Sequence, residues 1–470
     1  MENKMYPRRS RRLFFFSWSF LPVLVALAVL FISTAAVLSY GTNKRGEEEE
    51  EEEHAAVLRR FRHYLQINTA HPSPDYKSAV EFLLSQASEI GLDSRVLEFV
   101  EGKPLVLLTW KGKDPTISSI LLNSHTDVVP AEREKWLHDP FAAVQDAEGN
   151  IFARGAQDMK CVSMQYLEAI RNLKSKSFQP LRTLHLSFVP DEEVGGIDGA
   201  GKFVSSPEFQ KLNIGFSLDE GIISLGDTYR VFNGERSPWW LKIKATGAPG
   251  HGSKLYDGSA LENLLKSLEL INKFREEQFN LVKSGEKAEA EVTSINCVYL
   301  KAGTPTPMGF VMNLQPSEAE AGFDIRVAPQ EDVKELQRIL DEEWAPASRN
   351  LTYTFSLKEN PLDKDGQLAL TVGDDSNPWF VLLKEAVAKA GGKLDKVEIF
   401  PAVTDLRYVR HVGIPGFGFS PLANTPLLAH GHNEFLNAGE FLKGIGVYEE
   451  IIKAYTSFPP PADSETRAEL

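Results

Sequence analysis

The stretch LLNSHTDVVP, residues 121–130, closes an apolar run with the polar side chains His125 and Asp127. An apolar run without polar alternation is typical of a strand that is buried on both faces. Similar runs occur at 104–110 and 184–190, and a helical pattern at 159–173 lies between them. Strands that alternate with helices predict an α/β fold, in which a mostly parallel sheet is covered by helices on both faces.

The same pattern continues toward both ends of the chain. Helices are predicted at 55–66, 77–91 and 436–456, and further strands of the sheet at 213–218 and 414–419. These segments predict one α/β domain that is assembled from two separate parts of the chain.

Between residues 236 and 358 the order of predicted elements changes. It becomes β-α-β-β-α-β, the order of the ferredoxin-like split unit. The strands are predicted at 239–246, 291–300, 319–327 and 351–358, and the helices at 259–276 and 330–343. We therefore expect an inserted dimerisation or lid domain at 236–358. It divides the catalytic domain into residues 55–235 and 359–460, and a tail at 461–470 follows.

Composition excludes several classes of protein. A chain of 470 residues exceeds what one hydrophobic core usually supports, which favours two domains. The hydrophobic fraction of 42% and the charged fraction of 25% are those of a globular protein. Two cysteines cannot form a disulfide scaffold or a four-cysteine zinc site. The net charge of −14 argues against nucleic acid as a partner, because phosphate binding needs a basic surface.

The N-terminal segment predicts a membrane anchor. Residues 13–40 contain no charged side chain, and as a helix they would extend about 42 Å, enough to cross a bilayer. A basic tail at 1–12 precedes them and an acidic linker at 41–54 follows, which predicts a cytoplasmic N-terminus and a lumenal or extracellular catalytic domain in the secretory pathway. The alternative is a cleaved signal peptide and a secreted protein.

Imidazole and carboxylate groups follow several predicted strands. Because the carboxyl ends of parallel strands gather at one edge of a sheet, these groups predict a common crevice. Their chemistry, without thiolate, suits zinc, with manganese or cobalt as substitutes. Asp158 could bridge two metal ions. Besides His125 and Asp127, the groups are Asp158, Glu192, Glu193, Asp219, Glu220, His430, His432 and Glu434.

The ordered set of motifs resembles the co-catalytic zinc exopeptidases, a family that includes aminoacylases, carnosinase-type dipeptidases and bacterial carboxypeptidases. The resemblance covers residues 55–460, and the stretch at 404–421 is most similar to the aminoacylase-1 branch. The motifs are SHTDVVP at 124–130, Trp136 with Asp139-Pro140-Phe141, ARGAQDMK at 153–160, PDEEVGG at 190–196, LDEG at 218–221, GHGS at 250–253 and HGHNE at 430–434.

The resemblance implies two zinc ions per subunit and a ligand set for them. His125 and Asp219 would hold one ion, Glu193 and His430 the other, and Asp158 would bridge the pair. Asp127 would hydrogen-bond to the imidazole of His125 and fix its tautomer.

It also implies roles in the reaction. Glu192 would be the general base that takes a proton from a metal-activated water. His251 would stabilise the oxyanion, in some relatives from the partner subunit of a homodimer. Asn313 and Arg326 would hold the substrate, although a structural ion pair between Asp324 and Arg326 is the alternative. Thr404 and Arg407 would line the pocket.

The activity implied is hydrolysis of N-acyl-L-amino acids, which are small molecules, to a carboxylate and a free amino acid. A dipeptidase or carboxypeptidase on the same scaffold is the first alternative. A membrane-anchored binding protein without catalysis is the second. Aminoacylase-1 proteins lack a leading membrane segment, so the predicted anchor is a departure from that branch.

Overall fold

The computed structural model describes residues 48–460. The predicted basic tail, the predicted anchor at 13–40 and the C-terminal tail from 461 lie outside the described residues. The described residues divide into two units between residues 59 and 60. The described part of the first unit is helical. Along residues 48–460, no helix combines the length and apolar character that crossing a bilayer requires.

The second unit is built on an eight-stranded sheet and a separate four-stranded sheet. The strands of the chain are β1 (Asp93–Glu98), β2 (Pro104–Trp110), β3 (Ser119–His125), β4 (Val144–Gln145), β5 (Asn150–Phe152), β6 (Leu184–Val189), β7 (Ile214–Asp219), β8 (Tyr229–Glu235), β9 (Ser237–Thr246), β10 (Gly250–His251), β11 (Ser294–Ala302), β12 (Pro305–Thr306), β13 (Gly309–Phe310), β14 (Leu314–Gln315), β15 (Glu318–Val327), β16 (Leu351–Lys358), β17 (Leu394–Phe400), β18 (Gly416–Phe419) and β19 (Phe435–Asn437).

Helices pack between and around these strands. They are α1 (residues 48–66), α2 (Tyr76–Ile90), α3 (Lys160–Ser175), α4 (Lys202–Val204), α5 (Pro207–Gln210), α6 (Ala260–Lys283), α7 (Val333–Ile339), α8 (Pro378–Lys389), α9 (Leu406–His411) and α10 (Ala438–Ser457). Local chemistry sets several boundaries. The side chain of Asp75 accepts a hydrogen bond from the first turn of α2, and Gly91 ends that helix in the left-handed conformation.

The eight-stranded sheet has the order β1-β2-β6-β3-β7-β18-β8-β17. Its centre, β6-β3-β7-β18, is parallel throughout. On one face, Leu406 and Val409 of α9 pack with Leu105, Leu107 and Leu121 of the sheet. The predicted α/β fold with a mainly parallel sheet is confirmed.

Three strands of this sheet, β1, β8 and β17, were not expected from the sequence. β8 runs antiparallel to β18, and β17 pairs with β8 at the edge of the sheet. Both strands interleave polar with apolar residues, as in YRVFNGE and LDKVEIF, because the edge of the sheet is partly exposed. Neither therefore has the unbroken apolar run that marked the central strands.

The four-stranded sheet has the order β11-β15-β9-β16 and is antiparallel throughout. With α6 between β9 and β11, and α7 between β15 and β16, it has the predicted β-α-β-β-α-β order. Its buried face carries Trp239, Leu241, Ile295 and Phe323, which share one core with Leu264 of α6. A catalytic domain with a small inserted domain is consistent with this arrangement, and the domain limits near 236 and 358 stay a prediction.

The topology brings several polar segments to one edge of the central sheet. β3 ends at His125, β6 ends just before the PDEEVGG loop, and β7 ends at Asp219. Because these three strands are parallel neighbours, their carboxyl ends lie side by side. Asp158 stands immediately before α3, on the connection from β5.

Candidate metal centre

The first group of side chains is centred on Asp158. Its Oδ1 lies 3.0 Å from Nε2 of His125, and its Oδ2 lies 3.2 Å from Nε2 of His430. His430 Nε2 also lies 3.0 Å from Oε2 of Glu193. One carboxylate therefore spans two imidazoles, the geometry expected of a group that bridges two metal ions.

The second group contains a carboxylate other than the predicted one. His125, Glu192 and Glu220 have ligand atoms within 4.8 Å of one another, and so do His125, Asp158 and Glu193. Glu220 Oε2 lies 3.9 Å from His125 Nε2. Asp219 is in neither group.

Asp219 makes other contacts in the structure, and its role as a metal ligand stays a prediction. Its Oδ1 accepts hydrogen bonds from Asn123 Nδ2 at 3.2 Å and from the backbone N–H of Glu220 at 2.9 Å. Successive side chains at a strand end point in opposite directions, so only one of two adjacent carboxylates can face the cluster. Here that residue is Glu220, which the sequence did not distinguish from its neighbour.

Asp127 anchors the neighbouring loop rather than the imidazole. His125 Nδ1 lies 2.9 Å from the backbone oxygen of Asp127 and 3.6 Å from its carboxylate. The carboxylate instead accepts the backbone N–H groups of Glu192 and Glu193, both at 3.1 Å. The partner of His125 Nδ1 is therefore the main chain of Asp127. The carboxylate of Asp127 instead fixes Glu192, the predicted base, and Glu193, a predicted ligand.

The loop that carries Glu192 turns through left-handed backbone conformations. Asp191 has φ of 65°, and Gly195 and Gly196 have φ of 106° and 63°. A Cβ at position 196 would stand 2.2 Å from Oδ1 of Asp405, so only glycine fits there. The PDEEVGG motif thus supplies the sharp turn that brings both glutamates to the edge of the sheet.

A buried ion pair joins the two loops that carry Asp158 and His430. The carboxylate of Glu434 lies 2.7 Å from Nη1 of Arg154 and accepts the backbone N–H of Gln157 at 2.7 Å. Arg154 also donates to the backbone oxygen of His430 at 3.3 Å. Since Glu434 is wholly buried, this pair holds both ligand-bearing loops in one arrangement.

Burial and charge shift the pKa values of these groups. Burial disfavours the charged form of Asp127, but the adjacent imidazoles of His125 and His71 outweigh it and lower the pKa of Asp127 to about 2. Burial raises the pKa of Glu192 well above its usual value, and the negative charge of Asp405 adds to this. Hydrogen bonds to Asp158 and Glu193 raise the pKa of His430 to about 10.

These residues fit a metal pair. The donors are imidazole nitrogens and carboxylate oxygens, the set that zinc accepts in catalytic sites. Glu193 keeps a buried oxygen, Oε1, without a hydrogen-bond partner among the described residues. The raised pKa of His430 reflects uncompensated carboxylates beside it, and a cation would neutralise them. Cys161 stays apart, since its Sγ donates to the backbone of Gln157.

Arg326 lies on β15 of the four-stranded sheet, whereas His251 lies on β10 and Asn313 directly precedes β14, the strand that pairs with β10. His251 is exposed, and its Nδ1 lies 2.8 Å from Oγ of Ser253. Asn313 is exposed as well, and its backbone oxygen accepts from Gly252. Arg326 forms a bidentate pair with Asp324, at 2.8 and 3.0 Å. This is the structural ion pair that the sequence left as the alternative.

Thr404 and Arg407, which were predicted to line the pocket, make contacts within the protein framework. Thr404 is buried, and its backbone N–H and hydroxyl both donate to Glu235. Arg407 lies 3.0 Å from Oε2 of Glu359 and donates to the backbone oxygen of Gly195 at 2.7 Å. Arg407 therefore supports the loop of Glu192 from behind, and neither side chain lines the open pocket.

An apolar pocket adjoins the cluster. It has a volume of about 200 Å³ and reaches Asp158, Glu192, Glu193, Glu220 and His430. The wall opposite these polar groups was not singled out from the sequence, because single apolar residues in loops carry no distinctive pattern. It consists of Ile222, Ile223, Phe400, Ala402, Val403, Leu427 and Ala429.

Comparison with known families accounts for this centre. A family model described as Peptidase family M20/M25/M40 matches residues 121–454, well over half of the chain. The chain belongs to this family. Aminoacylase-1 of the pig, Sus scrofa, is 45% identical over 405 residues, which are 86% of this chain and 96% of the pig protein.

Solved structures of the M20 fold agree with the architecture. An M20 family metallo-carboxypeptidase of Sulfolobus solfataricus has a TM-score of 0.64 at 18% identity, covering 85% of this chain and 99% of its own. A dinuclear metal-binding M20 peptidase of Bacillus subtilis has a TM-score of 0.61 at 15% identity, covering 86% and 99%.

The family and its aminoacylase-1 relatives make this chain a metal-dependent hydrolase of amide bonds. The dipeptidase or carboxypeptidase and the non-catalytic binding protein are not favoured.

The predicted localisation is wrong on these findings. The match covers 96% of pig aminoacylase-1, which leaves about 4% of that relative for any additional segment. The assignment of a single-pass protein with a lumenal catalytic domain is therefore corrected.

Proposed function

We propose that the protein hydrolyses N-acyl-L-amino acids to a carboxylate and a free L-amino acid, with two zinc ions per subunit. The observation that carries the proposal is the apolar pocket beside the imidazole–carboxylate cluster. An apolar wall suits an acyl chain, and the cluster suits the amide group that joins it to the amino acid. The 45% identity to aminoacylase-1 supports the same substrate class.

The ligand set that we propose differs from the first expectation at one position. His125 and Glu220 would hold one ion, and Glu193 and His430 the other, with Asp158 between them. The 3.9 Å distance from Glu220 to His125 supports this choice over Asp219, which is engaged with Asn123. The dinuclear metal-binding relative from Bacillus subtilis supports two ions rather than one.

When bound, the zinc pair polarises the amide carbonyl and lowers the pKa of water. Glu192 acts as general base: its carboxylate takes the proton of the attacking water and then delivers it to the leaving amine. Burial and the charge of Asp405 raise the pKa of Glu192, so its carboxylate is a stronger base than that of an exposed glutamate. Asp127 holds Glu192 in place through the backbone.

The acyl chain would contact the wall formed by Ile222 and Leu427. An Ile222→Phe variant should fill this space. It should lower kcat/KM for an N-octanoyl amino acid about tenfold or more relative to the N-acetyl compound, since pocket volume discriminates by a few methylene groups. An equal effect on both substrates would place the acyl chain elsewhere.

We further propose a homodimer in which His251 acts on the partner subunit's substrate. His251 is exposed, and so are Leu255, Met308 and Met312 in neighbouring loops of the inserted sheet. Exposed apolar side chains of this number favour coverage by a second copy. Mixing inactive Glu192→Gln and His251→Ala subunits should restore activity, and verified heterodimers without activity would refute catalysis across the interface.

The test of the proposed function uses the full chain, stripped of metal and titrated with zinc. Hydrolysis of N-acetyl-methionine should return as two zinc ions bind per chain. A free dipeptide should remain a poor substrate. Glu192→Gln should bind the same two ions and lose about 100-fold or more in kcat. Cleavage of the dipeptide alone would refute the substrate class, and an active Glu192→Gln would refute the base.

A further inference from the structure

A histidine to which the proposed mechanism gives no role lies against the carboxylate of Asp127. His71 Nε2 is 2.9 Å from Asp127 Oδ2. The backbone fixes the position of His71, since Ala70 forms a parallel bridge with Val128 and His71 N–H donates to the Val128 oxygen. The backbone contacts with Val128, the residue after Asp127, therefore hold the imidazole of His71 against the carboxylate of Asp127.

The carboxylate of Asp127 accepts three hydrogen bonds. Its Oδ1 accepts the backbone N–H of Glu192, and its Oδ2 accepts both the N–H of Glu193 and the contact from His71. The two oxygens must therefore face the backbone N–H groups of two consecutive residues at the same time. A fixed donor on Oδ2 sets the rotation of the carboxylate, and thereby the aim of both oxygens.

We propose that His71 is a positioning residue of the hydrolytic site. An ionised carboxylate only accepts hydrogen bonds, so Nε2 of His71 carries the proton and donates it to Asp127. Through Asp127 it holds the base Glu192 and the ligand Glu193 in their places. The inference rests on the proposed roles of these two glutamates, and not on the choice of acyl substrate.

Asp191 is the other carboxylate near His71, and it is satisfied elsewhere. Its Oδ1 lies 3.9 Å from His71 Nε2, which is too long for a hydrogen bond. The same oxygen accepts the hydroxyl of Tyr76 at 2.6 Å, and Oδ2 pairs with Lys103. His71 therefore forms its hydrogen bond with Asp127 and not with Asp191.

Three variants of the full chain separate the hydrogen bond from the bulk of the side chain. In His71→Gln, the amide nitrogen can stand where Nε2 stood. In His71→Asn it is too short to reach, and His71→Leu keeps volume without a donor. For the Leu and Asn variants we expect kcat to fall about 10- to 100-fold with KM within threefold, and zinc affinity to fall about 10- to 100-fold, the effect typical of residues that support metal ligands.

The Gln variant should recover kcat and zinc affinity to within about fivefold of the wild type. His63→Leu removes an exposed imidazole and serves as the matched control with unchanged values. Zinc affinity is measured by competition with a chromophoric chelator, and kcat with N-acetyl-methionine. Thermal unfolding confirms that each variant is folded, and His71→Asn replaces His71→Leu should the latter not fold.

Equal behaviour of the Gln and Asn variants, whether intact or impaired, would overturn the proposal. A wild-type chain that binds zinc but hydrolyses no N-acyl amino acid would refute the proposed function instead. In that event zinc affinity alone still decides the role of His71.

Discussion

Replacing Glu220 by Gln should remove a zinc ligand, whereas replacing Asp219 by Asn should leave the ligand set intact. Glu220 Oε2 faces His125 at 3.9 Å, while Asp219 Oδ1 is bound to Asn123 and to a backbone N–H. A four-ligand zinc site binds with about 10–16 kcal/mol, or about 2.5–4 kcal/mol per ligand. At about 1.4 kcal/mol per tenfold, the Glu220 variant should lose roughly two to three orders of magnitude in affinity for one ion.

The Asp219→Asn variant should lose at most about tenfold, because the amide oxygen can still accept the hydrogen bond from Asn123. Zinc per chain after dialysis against a graded series of chelator concentrations gives both affinities. Unfolding curves of the metal-free proteins show whether either substitution acts through stability. Loss of one zinc from Asp219→Asn, with two retained by Glu220→Gln, would refute the assignment made from the structure.

Three further predictions concern the frame of the centre. Glu434→Gln leaves its arginine partner buried without a counter-charge, so thermal unfolding should show a loss of about 3–5 kcal/mol in stability, and an unchanged unfolding curve would contradict the buried pair. His430 has a pKa of about 10 without metal and must lose its proton to bind zinc. Calorimetry in buffers of different protonation enthalpy should therefore show proton release at pH 7.5, with zinc affinity rising up to about pH 10. An affinity that is flat between pH 7 and 9 would contradict this. Gly196→Ala should lower kcat, because its added Cβ would clash with Asp405 and displace the loop of Glu192. Gly195→Ala, whose added Cβ meets no atom within 4 Å, is the control for backbone strain alone. An equal fall in kcat in both variants would exclude the clash.

The central strands could be predicted because they are buried on both faces and carry runs of apolar residues, as in β2 and the first half of β3. β8 and β17 lie toward the partly exposed edge of the sheet and mix polar with apolar residues, so no such run marks them. The order of the inserted elements was predictable because β9, β15 and β16 alternate toward a buried face and α6 buries a single stripe.

At the site, motif order predicted which segments meet, but the direction of a side chain could not be derived. Asp219 and Glu220 are adjacent and chemically alike, and only the end of β7 decides which faces His125. The main-chain contact of Asp127 with His125 has no sequence signal at all. The pair of Asp324 and Arg326 was foreseeable, because residues two apart in a strand share a face.

The ion pair between Arg154 and Glu434 joins residues 280 positions apart. At translation rates of about 5–20 residues per second, the second half of the metal centre leaves the ribosome roughly 15–55 s after the first. The inserted sheet is synthesised within that interval and is made entirely of nearby strands, so it can fold before the centre exists. In the proposed ligand set, His125, Asp158, Glu193 and Glu220 are synthesised before the inserted sheet and only His430 after it. Metal capture by all five proposed ligands therefore becomes a late, post-translational event.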